Sequence, residues 1–294
     1  MRPLRALIIY LAVVFVGGAL LAPWLYWLVQ AAIPKLAHQP FHRFVDRSLL
    51  ILALAGLVPL LRAFGARTLA EVGLVKPAGQ WRKLFAGLGL GFGSLALIAA
   101  LALVAGARTW PEHLDVARVV GRVSSAALAA VVVAVLEEIL FRGGIFGGLR
   151  HIVNWQAALV ASSAIYAVVH FFARPGEPQT VTWLSGLNQL GLMLGGFTDW
   201  QTVIPGFFNL TLAGAMLALA FHRAGNLYFS IGLHAGWIFW LKLYAALTTQ
   251  VSGVNLWLWG SSKLIDGWLA LGVLAITFAL LPRFLAPREE SAAR

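Results

Sequence analysis

The chain contains no cysteine, which excludes disulfides, thiol nucleophiles, cysteine-based metal sites and palmitoylation, and leaves the redox compartment unreadable. Charge is scarce as well. Charged residues make up 11% of the 294 positions, against about 25% in a soluble domain. The sequence holds no His-Glu-x-x-His string, the signature of helical zinc hydrolases. The tripeptide Leu184-Ser185-Gly186 lacks the leading glycine of a Gly-x-Ser-Gly nucleophile loop, and the two intramembrane aspartates of an aspartyl type are missing, Asp266 standing only at the edge of an apolar run. Repeats and low-complexity tracts are also missing, which argues against the internal symmetry of a transporter.

What remains is apolar. Hydrophobic residues account for 60% of the chain and the mean hydropathy is +0.83, so lipid rather than water is the main solvent. The net charge of +11 comes from basic residues scattered singly between apolar runs. That pattern excludes a nucleic-acid stripe and fits loops facing an anionic membrane surface. Membrane lipid is therefore the first expected partner.

Apolar segments near the ~20 residues needed to span recur at Leu4–Ile33, Ser48–Phe64, Leu84–Ala105, Ser124–Leu149, Ala157–Phe172, Val203–Phe221, Leu227–Leu247 and Leu264–Leu285. The first is too long for the h-region of a signal peptide and reads as a retained helix. The second and fifth are short enough for one of them to be re-entrant. With the N-terminus inside, cytoplasmic segments collect more Arg and Lys than outer ones. The expected fold is all-α: a polytopic bundle of about eight transmembrane helices, both termini cytoplasmic, in the cell (inner) membrane. A single integral-membrane domain over 1–286 would precede a short, disordered cytoplasmic tail, 287–294. Arg67–Lys83 reads as an inner interfacial segment, Arg108–Arg122 as a mixed-charge outer loop, and Ala173–Thr202 as a covering loop with a half-buried apolar part.

Against this background Glu137, Glu138 and Arg142 stand out, in the middle of the fourth apolar run. A charge there costs at least ~2.5–3.5 kcal/mol on insertion scales, so it calls for a function. Glu138 and Arg142 are i,i+4 with the acid first, the favoured order for an ion pair. Glu137 lies about 100° round the helix and is left for chemistry, with burial expected to favour a general base. His170 and His234 are the two histidines well inside apolar runs. Counted from the cytoplasmic ends, Glu137, His170 and His234 lie roughly 18, 21 and 14 Å deep at 1.5 Å per residue, a shared layer. That set could bind a divalent metal such as zinc, activate water directly, or relay protons in a transporter. Gly143, Gly144, Gly147 and Gly148, which follow the acidic pair, read as close helix packing.

Glu137-Glu138-x-x-x-Arg142, then an aromatic four residues before His170, then His234 on a later helix, resembles the CPBP intramembrane protease family. That family includes the type II CAAX prenyl endopeptidases and the bacteriocin-processing and immunity proteins. The resemblance centres on about 131–240, within a family-like core of about 120–248. Tyr166 stands where the family has Phe, and Ile238 stands where it has Asn or Asp four residues after the second histidine. Asn209 is the nearest candidate to supply the missing amide. The resemblance implies a peptidase acting on membrane-associated or CAAX-like C-terminal peptides. Glu137 would activate water, Glu138 and Arg142 would position it, and His170 and His234 would hold a metal or polarise the carbonyl. The missing amide keeps open a non-catalytic immunity or binding protein on the same scaffold.

Overall fold

The computed structural model describes residues 2–36, 38–111, 115–261 and 263–285; the expected tail 287–294 lies outside them, as do Glu112 and His113. The chain is 74% helical with almost no sheet, as long apolar runs dictate when every backbone N–H must find a partner within its own segment. Among the described residues, five helices are long and apolar enough to cross a membrane: Leu4–Ala32, Phe41–Ala63, Trp81–Val104, Val116–Leu149 and Trp200–Ala224. Shorter apolar helices cover Trp155–Val169 and Trp268–Arg283. A further helix, Tyr228–Leu247, is 20 residues long. Each expected span therefore has its helix, though with shifted ends. The second, expected to be short, runs over 23 residues. The eighth begins at Trp268, which leaves Leu264–Gly267 as connection.

Two compact units are formed by residues 1–67 with 169–199, and by 68–168 with 200–294. In the first, α1 (Arg2–Ala12) passes through a π-helical stretch, Val13–Gly17, into α2 (Gly18–Ala32), and α3 (Phe41–Ala63) follows. Phe41, Phe44, Val45, Ala22 and Met193 build its apolar core. The half-buried part of Ala173–Thr202 is a helix, α8 (Ser185–Met193), continued by a short 3-10 turn. Gly186 lets it close on α2, because a Cβ there would run into the Ala19 carbonyl oxygen. Ser185 is a turn residue: its Oγ accepts from the Thr182 N–H at 2.8 Å.

The second unit holds α4 (Trp81–Val104), α5 (Val116–Glu138), α6 (Gly147–Leu149), nearly all of α7 (Trp155–Val169), α9 (Trp200–Ala224), α10 (Tyr228–Leu247), α11 (Leu256–Trp259) and α12 (Trp268–Leu280). Its central crossing is α4 on α10, and glycines make it. A Cβ on Gly87 or Gly91 would strike the carbonyl oxygens of Phe229 or Leu233, and one on Gly232 that of Leu84. A Cβ on Gly236 would crowd the Phe92 N–H in the same way. Two small-xxx-small motifs thus interlock and bring main chain against main chain.

Two connections differ from expectation. Arg108–Arg122 is not all loop: strand β1 (Arg108–Thr109) pairs antiparallel with β2 (Thr249–Gln250), and α5 starts at Val116. Asp115 caps that helix by accepting the Ala117 N–H at 3.1 Å, satisfying an end group that has no intrahelical partner. Part of the segment after Arg67 turns inward: Val72 is buried, while Leu69 is 61% exposed. The Gly73 carbonyl accepts the Leu227 N–H at 2.9 Å, and the Tyr228 hydroxyl donates to the Val75 carbonyl at 2.8 Å.

Candidate active site

The site is built where α5, α7 and α10 supply polar groups to the interior of the second unit. Glu137 and Glu138 are the last residues of α5, and the helix then widens into a π-helical stretch, Ile139–Phe146, before α6. Glycine at 143 and 144 has low α-helical propensity, so this run yields easily. Gly143 packs under Val72, whose carbonyl oxygen would be 2.8 Å from any Cβ there. The expected packing role of these glycines is met at that position. π-helical turns concentrate at functional positions, and this one carries the cation.

Within the stretch Arg142 Nη1 lies 3.2 Å from Glu138 Oε1, both side chains almost fully buried. The guanidinium sits 4.5 Å over the Tyr166 ring, and its Nη2 donates to the Gly214 carbonyl at 3.4 Å. The same Glu138 oxygen accepts from His234 Nδ1 at 2.9 Å. A carboxylate can only accept, so this contact places the proton on Nδ1 and leaves Nε2 with its lone pair. Nε2 faces the Tyr166 hydroxyl at 3.2 Å, which donates to it, and Glu137 Oε2 at 3.7 Å. A separation of 3.7 Å is short enough for one oxygen to hydrogen-bond both Nε2 and Glu137 Oε2 at about 2.8 Å; in the structure Oε2 itself is enclosed. Glu137 is the accessible acid, 28% exposed where Glu138 is 0%.

His234 is held from the other direction too. It lies between Gly232 and Gly236 at the α4 crossing, and Trp237 on the next turn donates its Nε1–H to Ser94 Oγ at 2.9 Å. Ser94 passes a hydrogen bond to the Gly91 carbonyl at 2.9 Å. The Phe141 ring stands edge-on to Tyr166 at 5.1 Å. The imidazole is thereby fixed by a carboxylate, a tyrosine and a backbone-tight crossing.

The structure thus joins Glu137, Glu138, Arg142, Tyr166 and His234. His170 follows the end of α7 in a turn and belongs to the first unit. Asn209 departs from its expected part: it gives both amide protons to the Ile265 and Gly267 carbonyls, at 2.7 and 2.8 Å, and braces the entry to α12. Ile238 is buried and brings no polar atom. The sequence reading paired Glu138 with Arg142 and missed its second partner, His234. It also missed the Gly87–Gly91 and Gly232–Gly236 pairs, although their spacing was there to be seen.

A catalytic zinc takes three protein ligands and an open position. Among the described residues no three His, Cys, Asp or Glu side chains are grouped to hold a metal ion, and His234 has Nδ1 committed to Glu138. The chemistry below is written with side chains alone.

Residues 120–240 match the family model described as type II CAAX prenyl endopeptidase Rce1-like. No curated protein and no solved structure gave a match. The matched stretch carries both glutamates, Arg142, Tyr166, His170 and His234, and the membrane helices around it suit a multi-pass protease of that kind. Over residues 120–240, less than half of its length, the chain is similar to the Rce1-like type II CAAX prenyl endopeptidases.

Proposed function

We propose that the protein is an intramembrane endopeptidase that hydrolyses peptide bonds of membrane-associated substrates with CAAX-like C-termini, using water activated by Glu137. The observation that carries this reading is the pairing of an accessible carboxylate with a fixed imidazole, Glu137 Oε2 and His234 Nε2 at 3.7 Å. Water held between them gives one proton to Glu137 as its oxygen attacks the scissile carbonyl carbon. The Tyr166 hydroxyl turns from His234 to donate to the oxyanion of the tetrahedral intermediate. As the C–N bond breaks, the proton on Glu137 passes to the departing amine, and the products are a carboxylic acid and an amine, which ionise to carboxylate and ammonium. Glu138 and Arg142 take no part in the bond changes. They keep His234 in one tautomer and one orientation, with Arg142 3.2 Å from the Glu138 oxygen that His234 meets. The family resemblance adds His170 to the group.

The test is processing of a prenylated CAAX reporter by membranes carrying Glu137→Gln, His170→Ala, Tyr166→Phe or His234→Ala. Loss of cleavage in Glu137→Gln at unchanged protein level is expected. Full cleavage by Glu137→Gln and His234→Ala together would end the peptidase reading. Ile238, which offers no amide to a substrate, favours a second reading: a non-catalytic binding or immunity protein. That reading requires biological activity to survive in every one of these variants.

A further inference from the structure

On the outer side of α4, away from the α10 crossing, an apolar groove of about 480 Å³ runs between α4 and α12. Its volume is within the ~300–1,000 Å³ of ligand sites. Ala86, Gly89, Gly93 and Leu97 line it from α4, and Ile276 and Leu280 from α12. Gly89 and Gly93 differ from the glycines of the crossing, since a Cβ on either would meet nothing within 4 Å. No contact inside the protein requires glycine there, and glycine weakens a helix relative to alanine. They leave a floor of bare backbone facing the lipid.

One end of the groove is cationic. Phe85 and Phe284 both line it, so the start of α4 and the end of α12 share that end. Arg82 and Lys83 stand three and two residues before Phe85, and Arg283 directly precedes Phe284. Trp81, 53% exposed, stacks on Phe85 with ring centroids 6.2 Å apart; exposed tryptophans of this kind sit at headgroup level. From Phe85 to Leu97 the groove follows α4 for roughly 18 Å at 1.5 Å per residue, comparable with an extended long acyl chain.

We infer that this groove binds an anionic phospholipid, one acyl chain lying on Gly89 and Gly93 and the phosphate among Arg82, Lys83 and Arg283. A zwitterionic lipid can fill the groove but gains little from the cations. A Lys or Arg close to an anionic lipid surface contributes roughly fivefold in affinity. The inference does not depend on the peptidase reading and is read out without cleavage. The inner end of the groove includes Ser94, whose hydroxyl takes the Trp237 indole N–H one turn from His234.

The experiment is lipid retention by the purified full chain, delipidated in detergent and titrated with phosphatidylglycerol or phosphatidylcholine of matched chains. Binding is counted by native mass spectrometry. Phosphatidylglycerol should bind at least roughly tenfold more tightly. The triple variant R82Q/K83Q/R283Q should bring the two lipids near parity. Gly93→Leu, which fills the floor, should weaken both with all cations kept, and Leu280→Trp fills the groove from α12 should Gly93→Leu not fold. Equal retention of the two lipids by the native chain overturns the inference. So does undiminished phosphatidylglycerol binding in both filled variants, which would place the lipid on the cations alone.

Discussion

Glu138→Ala is expected to cost the protein about 3–5 kcal/mol of stability, more than any change at its neighbour. Glu138 and Arg142 are 0% and 2% exposed, so water does not screen the guanidinium once its partner is gone. The variant also frees His234 Nδ1 from its 2.9 Å acceptor, a hydrogen bond to a charged group worth about 1.5–3 kcal/mol. The two losses share one carboxylate and do not add. Glu137 is 28% exposed and stands 3.7 Å from its histidine, so Glu137→Gln should lower stability by about 1 kcal/mol at most while removing the base. Equilibrium unfolding in detergent micelles, followed by tryptophan fluorescence, separates the cases. The double variant Glu138→Gln, Arg142→Met supplies the control. An apolar replacement of a buried pair recovers much of the lost stability but not the orientation of His234, so the protein should refold stably and cleave poorly. The reasoning fails if Glu138→Ala unfolds like the native chain, or if Glu137→Gln costs as much as Glu138→Ala.

Tyr166→Phe keeps the ring under Arg142 and removes only the hydroxyl, so cleavage should fall by about 10²-fold with the unfolding midpoint nearly unmoved; equal loss of both would make Tyr166 a packing residue. Gly232→Leu forces a side chain into the Leu84 carbonyl and should cost at least about 1–3 kcal/mol, with cleavage lost as α10 shifts, whereas Gly89→Ala should be neutral or better in the same unfolding assay. Asp266 offers a pH test. Burial pushes its carboxyl above the ordinary carboxylate range, against opposing hydrogen bonds from the Ser261 N–H and hydroxyl. The folded state therefore holds that proton more tightly than the unfolded one. The associated stability is full below the ordinary value and is lost as pH rises through the raised one. Asp266→Asn should flatten this part of the stability profile between those two values, and an unchanged slope would refute the assignment.

The fold was legible wherever one local property decided it. Apolar length located the eight long apolar segments but not the short helices α8 and α11, and i,i+4 spacing paired Glu138 with Arg142. The missing parts belong to tertiary contact. Spacing along α5 cannot announce that Glu138 also meets an imidazole 96 positions later. Asn209 looked like a spare amide because the carbonyls that take its protons, Ile265 and Gly267, were assigned to an apolar span that the structure begins only at Trp268. The segment after Arg67 looked interfacial because Leu69, Val72, Leu74 and Trp81 mix with Arg82 and Lys83; the inward turn at Val72 comes at Gly73, whose φ is 91°. The resemblance carried more than periodicity could, naming Tyr166 and His234 as one set from residue types on separate helices.

The π-helical stretch after Glu138 divides this long helix into two α-helical portions that differ in phase. A π turn is an α-helix holding one residue more than its turn needs, so the faces on either side need not line up. Glu137 and Glu138 can then aim at α10 while Gly147–Leu149 follows its own packing, and neither half constrains the rotation of the other. Deleting one residue at Gly143 or Gly144 would close the turn to 3.6 residues and swing everything beyond it by about 100°. The reading frame of that helix is thus a specification in its own right: the acids depend on a count of residues as much as on their identity.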